Sequence, residues 1–139
     1  MRQSLHRLVV ETHGQGLVEI TAAIKERLVH VDINEGLLTV YCRHTSASLL
    51  IQENADPDVC KDLQTFFAKI VPEGRGLYVH ESEGPDDMPA HIRAALTQTQ
   101  LSIPMRDGEL LLGTWQGIYL FEHRREPHRR EIVLHVIGE

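Results

Sequence analysis

Apolar and polar residues alternate along much of the chain, and this alternation predicts a protein built mainly of β-strands. The longer predicted strands cover residues 5–11, 37–43, 101–106, 114–124 and 130–137. Shorter extended segments are predicted at residues 17–19, 49–52, 77–81 and 109–112. Asp107 and Gly108 separate two of these strands. This pair favours a tight type I′ hairpin turn between them.

Apolar residues recur at helical spacing elsewhere, and this period predicts helices over residues 20–29, 57–70 and 87–97. The middle helix has the clearest start, because Asp56 is a natural N-cap and Pro57 suits the first helical position. Its apolar face is expected to pack on a sheet. Together the elements predict an α+β fold with two or three helices and a mainly antiparallel β-sheet or β-sandwich. We expect a single domain over residues 1–139.

The composition is that of an ordinary globular protein, with 42% apolar and 24% charged residues among 139. The 20 acidic residues outnumber the 14 basic ones and give a net charge of −6. This balance argues against nucleic acid as the main partner, because phosphate neutralisation needs a basic surface. The two cysteines, Cys42 and Cys60, are too few for a disulfide framework, and no apolar run is long enough to span a membrane. A cytoplasmic protein without membrane partners is therefore expected.

One polar stretch, VHESEGPDDMPAHI at residues 79–92, interrupts this otherwise well-packed pattern. His80 and His91 flank four acidic residues, and Gly84 and Pro85 bend the chain between them. Polar loops on a rigid scaffold are common places for chemistry, so the stretch is interpreted as one wall of a site. A solvated acidic loop with incidental histidines is the alternative.

Four histidines near the ends of predicted elements are candidate metal ligands, because converging imidazoles are a usual way to hold Zn²⁺. They are His44, His80, His91 and His123. Asp87 precedes His91 by four residues, so on a helix its carboxylate can orient that imidazole. The spacing matches no established zinc motif. Cys42 lies two residues before His44 on the same strand face, but a buried core thiol is its simpler interpretation.

The predicted strand that ends in Glu122, His123 and Arg124 supplies candidates for acid/base chemistry or phosphate binding. Alternation places Glu122 and Arg124 on one face and His123 on the other. A strand-end ion pair of little energetic value is the plainer alternative. Ser46 and Ser48 follow a buried strand, where their hydroxyls either donate to anionic oxygens or cap the turn.

Four blocks of the sequence resemble the YjbQ family of small bacterial and archaeal proteins. They are HTSASL (His44–Leu49), NADPDV (Asn54–Val59), HESEGPDDMPAHI (His80–Ile92) and GTWQGIYLFEHR (Gly113–Arg124). The resemblance implies an α+β fold with a β-sandwich, a homotrimer and a metal at the histidine cluster. It also implies weak thiamine-phosphate synthase activity, regarded as secondary, which joins a pyrimidine pyrophosphate to a thiazole phosphate and releases pyrophosphate. The polar positions it implies are His44, Asn54, Asp56, His80, Asp87, His91, Glu122, His123 and Arg124.

These inferences combine into one predicted site for a small phosphorylated metabolite. His44, His80 and His91 are expected to bind a divalent metal ion, zinc in the first instance and magnesium as the alternative. The other predicted roles are support of His91 by Asp87, acid/base or orienting chemistry by Glu122 and His123, and phosphate binding by Arg124, Ser46 and Ser48. Two other hypotheses stay open: a non-catalytic trimeric module that binds such a metabolite, and a metal-free acid/base enzyme.

Overall fold

Eight strands and three helices make up the computed structural model, which describes residues 1–139. The strands are β1 (Arg2–Thr12), β2 (Gly16–Glu19), β3 (Gly36–Cys42), β4 (Ala47–Glu53), β5 (Gln100–Arg106), β6 (Glu109–Leu110), β7 (Gln116–Glu122) and β8 (His128–Gly138). The helices are α1 (Thr21–Leu28), α2 (Pro57–Ile70) and α3 (Asp87–Leu96). No helix is long and apolar enough to cross a membrane.

The strands form two antiparallel sheets, which confirms the predicted α+β class. The larger sheet has the order β1-β8-β3-β5-β6 and the smaller has the order β2-β7-β4. One core of 18 buried residues draws side chains from both sheets and from α1. Burial alternates along β8 as predicted, with Leu134 and Val136 fully buried and Ile137 exposed. The period of two in the sequence therefore marks the face that packs between the sheets.

The turn and cap signals in the sequence are also confirmed. Asp107 and Gly108 have φ angles of 53° and 76°, as a type I′ hairpin requires at both central positions. Asp56 caps α2, where its carboxylate accepts the Asp58 N–H at 2.9 Å. The cap explains why the helix begins at Pro57, since the first N–H groups of a helix have no partner within it.

Helix α2 covers the small sheet less fully than its apolar face predicts. Phe67 packs edge-to-face on Phe121 of β7, with ring centroids 5.4 Å apart. Phe66 and Ile70, on the same predicted face, remain about half exposed at 54% and 49%. No residue of α2 is fully buried. The helix therefore packs on the sheet through a face that is only half-buried, to which Phe67 belongs.

The strand predicted at residues 77–81 is wrong, because this segment is irregular in the structure. Leu77 and Val79, the residues that suggested a strand, project into solvent. No neighbouring strand pairs with the segment. It is held instead by the Tyr78 hydroxyl, which donates to the Pro72 carbonyl oxygen at 2.6 Å. The result is a long connection from α2 to α3 that brings His80 beside the first turn of α3.

Candidate functional site

Four side chains converge where this connection enters α3. They are His80, Glu83, Asp87 and His91, and one ligand atom from each lies within 4.8 Å of the others. We call this group the His80–His91 cluster. Asp87 Oδ2 is its centre, at 2.6 Å from His80 Nε2 and 3.2 Å from His91 Nε2. Glu83 Oε2 lies 3.3 Å from His80 Nε2. Two imidazoles and two carboxylates thus surround one small volume.

The orientation of the His91 ring is set by the turn between β3 and β4. His91 Nδ1 lies 2.9 Å from the Thr45 carbonyl oxygen, which can only accept, so Nδ1 carries the proton of that bond. In the neutral ring, Nε2 then presents a lone pair to Asp87 Oδ2. Two lone pairs at this distance repel each other. The arrangement is favourable only when a proton on Nε2 or a cation lies between His91 and Asp87.

Arg124 fixes the carboxylate at the centre of the cluster. Its Nη1 donates to Asp87 Oδ1 at 2.7 Å, and its Nη2 donates to the Glu83 carbonyl oxygen at 2.9 Å. Its Nε donates to Asp86 Oδ2 at 3.0 Å. One guanidinium therefore links the end of β7 to the first turn of α3 and to the loop before that helix.

Asp87 remains ionised in this setting. Burial alone would raise the pKa of its carboxyl, because only 2% of the residue is exposed. The hydrogen bond with His80 and the charges of His91 and Arg124 outweigh burial and lower that pKa. A carboxylate at the centre of the cluster is thus available to a cation at neutral pH.

Glu122 lies in a separate buried network rather than in the cluster. It is fully buried, and its carboxylate accepts from Arg130 Nε at 2.7 Å and from the Thr12 hydroxyl at 2.6 Å. Burial opposes ionisation, but these hydrogen bonds and the charge of Arg130 lower the pKa of Glu122. The network joins β1, β7 and β8 at one end of the sandwich.

His123 points to the opposite side of β7 and is also fully buried. Its Nε2 lies 2.9 Å from the Ser48 hydroxyl, which is bonded in turn to Thr97. Its Nδ1 is buried without a hydrogen-bond partner. Burial and the charge of Arg93 lower the pKa of His123 to about 3, so the ring is neutral. Glu122 and His123 therefore lie inside the protein, away from the position expected of acid/base groups.

Of the three predicted metal ligands, the structure brings together His80 and His91 but not His44. The His44 ring is held by β8, because its Nε2 accepts the Glu131 N–H at 2.7 Å. Glu83 takes the remaining place in the cluster. Glu83 was not among the predicted ligands, although its position three residues after His80 was the available signal.

The donors predicted to bind phosphate are largely occupied within the chain. Arg124 uses Nε, Nη1 and Nη2 in the contacts described above. Ser48 is buried between His123 and Thr97, and Ser46 Oγ accepts from Arg130 at 3.0 Å. The two remaining predicted positions also have internal partners. Asn54 donates to Glu19 at 3.1 Å, and Asp56 caps α2.

An open cleft of about 780 Å³ borders the cluster. Residues 41–46 form one side of this cleft, and His91, Ala94, Ala95 and Thr99 form the other. A second cavity of about 370 Å³ includes His80 in its lining. The 780 Å³ cleft therefore includes His91 in its lining, and its size is typical of sites for small molecules.

Comparisons with known proteins agree on one family. The model of the family described as "UPF0047 protein YjbQ-like" matches residues 6–139. The UPF0047 protein sll1880 of Synechocystis sp. is 54% identical over 138 residues, which is 99% of this chain and 94% of that protein. The UPF0047 protein YjbQ of Escherichia coli O157:H7 is 41% identical over 133 residues, 95% of this chain and 96% of that protein. The crystal structure of an uncharacterised YjbQ/UPF0047 protein from Clostridium acetobutylicum has a TM-score of 0.86 and 34% identity, covering 95% of this chain and 99% of that one.

Proposed function

The chain belongs to the YjbQ-like UPF0047 family, and from this premise we propose that its His80–His91 cluster binds a divalent metal ion at a site for a phosphorylated metabolite. His80, Asp87 and His91 are the ligands, and Glu83 is an additional carboxylate at the exposed side. The homotrimer and the cytoplasmic location remain predictions from resemblance and composition.

The relation between His91 and Asp87 carries the proposal. With Nδ1 bonded to the Thr45 carbonyl, Nε2 of His91 faces a buried carboxylate oxygen, and a metal ion between these two atoms would attract both. The hydrogen bonds that orient His91 and Asp87 are of the kind usually found around metal ligands in proteins. A carbonyl oxygen accepts from the far nitrogen of His91, and Arg124 donates to the far oxygen of Asp87.

The donor set favours zinc over magnesium. Imidazole nitrogens suit Zn²⁺ and other transition metals, whereas Mg²⁺ prefers oxygen ligands and retains its water. Two imidazoles with one or two carboxylates are therefore a poor magnesium site. Bound here, a zinc ion would supply positive charge that stabilises negative charge on a phosphate or pyrophosphate group.

Thiamine-phosphate synthesis is the reaction we assign to the site as a secondary activity. In it a pyrimidine pyrophosphate joins a thiazole phosphate, and pyrophosphate leaves. The cleft beside His91 supports this assignment, because it has room for a small phosphorylated molecule. In this proposal the chain's own residues bind and position: Asp87 and Arg124 hold the cluster, and Thr45 orients His91.

A non-catalytic module that binds the same class of metabolite is the second candidate. The burial of Glu122 and His123 favours it, because a general acid or base has to contact the group with which it exchanges a proton. On this alternative the cluster and the cleft hold a phosphorylated ligand that is released unchanged.

Turnover separates the two candidates. The protein is stripped of metal with a chelator, reconstituted with zinc or magnesium, and assayed for thiamine phosphate formed from the two substrates. We expect product with zinc, and its loss in His80→Ala. His13→Ala is the matched control, since His13 is exposed and outside the cluster. Equal turnover in stripped and reconstituted protein would contradict metal dependence, and binding without product would favour the module.

A further inference from the structure

We propose that the anionic group of the ligand binds at the turn between β3 and β4, where Arg43, His44 and Thr45 face the 780 Å³ cleft. This inference rests on the proposed function and gives that site its anion-binding residues. It assigns to this turn the role predicted for Arg124, whose Nε, Nη1 and Nη2 already donate to Asp86, Asp87 and the Glu83 carbonyl. We call residues 43–46 the β3–β4 turn.

His44 enters the cleft as a hydrogen-bond donor. Its Nε2 accepts the Glu131 N–H, so in the neutral ring the proton lies on Nδ1. This Nδ1 makes no hydrogen bond within the chain and is not buried, since the ring lines the cleft. Burial and the nearby charge of Arg130 lower the pKa of His44, which keeps the ring neutral. An N–H group aimed at the cleft suits an anionic oxygen and does not suit a metal ion.

Arg43 gives the turn a surplus of positive charge. Its Nη1 donates to Glu131 Oε1 at 2.9 Å, and Arg7 Nε lies 3.4 Å from the same oxygen. Two guanidinium groups therefore share one carboxylate. The side chain of Arg43 is half exposed, and its other guanidinium N–H groups make no hydrogen bond within the chain. They are free to donate to a phosphate, for which the guanidinium fork is well shaped.

Thr45 connects the turn to the His80–His91 cluster. Its carbonyl oxygen accepts from His91 Nδ1, while its hydroxyl has no partner in the chain and lies beside the cleft. An anion held by Arg43 and His44 would thus lie next to the imidazole that faces Asp87. The same turn therefore orients a ligand of the proposed metal and receives the charged end of the metabolite.

The remainder of the cleft indicates what the rest of the ligand is like. Ala94 and Ala95 contribute small apolar side chains to the cleft, and Tyr41 also lines it. No aspartate or glutamate lines the cleft, so nothing there pairs with a second positive charge. The ligand class is therefore a phosphate ester whose organic part is uncharged and flat enough to lie along an alanine surface and an aromatic ring.

Binding of inorganic pyrophosphate tests the inference directly. The metal-replete protein is titrated calorimetrically with pyrophosphate, and the metal content of each variant is measured in parallel. We expect Arg43→Gln to weaken binding about tenfold, because a charge-assisted hydrogen bond is lost. We expect the same of His44→Phe, with the metal content unchanged in both. Arg129→Gln and His13→Phe are matched controls at exposed positions without a role in the cleft.

The outcomes separate this inference from the metal proposal. Normal pyrophosphate affinity in Arg43→Gln, with metal retained, would overturn the anion site and leave the metal site standing. Arg43 is half exposed, so this variant is not expected to unfold, and His44→Phe serves as confirmation. If the wild type contains no metal and pyrophosphate affinity still falls in both variants, the result supports the anion site at the turn and contradicts the metal site. A wild-type protein that does not bind pyrophosphate at all would overturn the inference.

Discussion

Arg124 Nη1 donates to Asp87 Oδ1 at 2.7 Å and so joins the end of β7 to the first turn of α3. This contact turns Oδ2 of the carboxylate toward His80 and His91. The two residues are 37 positions apart in the sequence, and only the fold brings them together. Arg124 is therefore a positioning residue for the cluster, since each of its three guanidinium nitrogens already donates within the chain.

Replacement of Arg124 tests that role. In Arg124→Gln the Asp87 carboxylate loses its fixed orientation, and we expect the metal affinity to fall by about 10- to 100-fold, the range for residues behind a ligand. The measurement is competition for zinc against a chromophoric chelator. Arg129→Gln, an exposed arginine on β8, is the control. If Arg124→Gln binds zinc as tightly as the control does, Asp87 does not depend on this contact.

The buried His123 predicts how stability depends on pH. Its pKa is about 3 in the folded protein, against about 6.5 for an unperturbed histidine. Between these values the unfolded chain binds a proton that the folded chain does not, so stability is complete above about pH 6.5 and falls as the pH decreases. From pH 7 to pH 5 this group alone removes about 2 kcal/mol from the free energy of unfolding.

Urea unfolding at pH 7 and pH 5 measures this effect, with His123→Gln as the comparison. Glutamine has no titrating group but retains an amide that can bond to Ser48. We expect the variant to lose less stability than the wild type between the two pH values. A wild type and a variant with the same pH dependence would show that folding does not lower the pKa of His123.

The ion pair of Glu122 with Arg130 predicts a structural role for both. Glu122→Gln leaves the Arg130 guanidinium buried without its counter-charge, which costs about 3–5 kcal/mol when one partner of a buried pair is removed. The double variant Glu122→Leu with Arg130→Met removes both charges and is expected to recover much of that loss. Urea unfolding of the single and double variants measures their free energies of unfolding. Glu122→Gln with full stability but no activity would instead indicate a catalytic carboxylate.

Local signals were sufficient for most of the fold. The cap at Asp56, the Asp107-Gly108 turn and the alternation in β8 each depend on a few consecutive residues, and each is confirmed. Residues 77–81 carry strand-like residues but no partner strand. Because a strand is stabilised by pairing with another segment, composition alone could not reveal that this pairing is missing.

The site was less predictable, because its contacts join distant segments. His80, Asp87 and His91 lie within one short stretch, and the sequence could place them together. His44 is held by a β8 backbone group 87 residues away, which no local pattern indicates. Glu122 and His123 end a strand and were expected near a surface. They lie instead at the end of the central strand of the small sheet, covered on both faces.

The central claim is that the His80–His91 cluster binds a metal ion, and the metal content of the purified protein tests it most directly. Elemental analysis is applied to the wild type, His80→Ala, His91→Ala and the control His13→Ala, all purified without chelator. We predict about one equivalent of zinc per chain in the wild type and the control, and little in the two cluster variants. A wild type without metal, or full metal content in both cluster variants, would contradict the account.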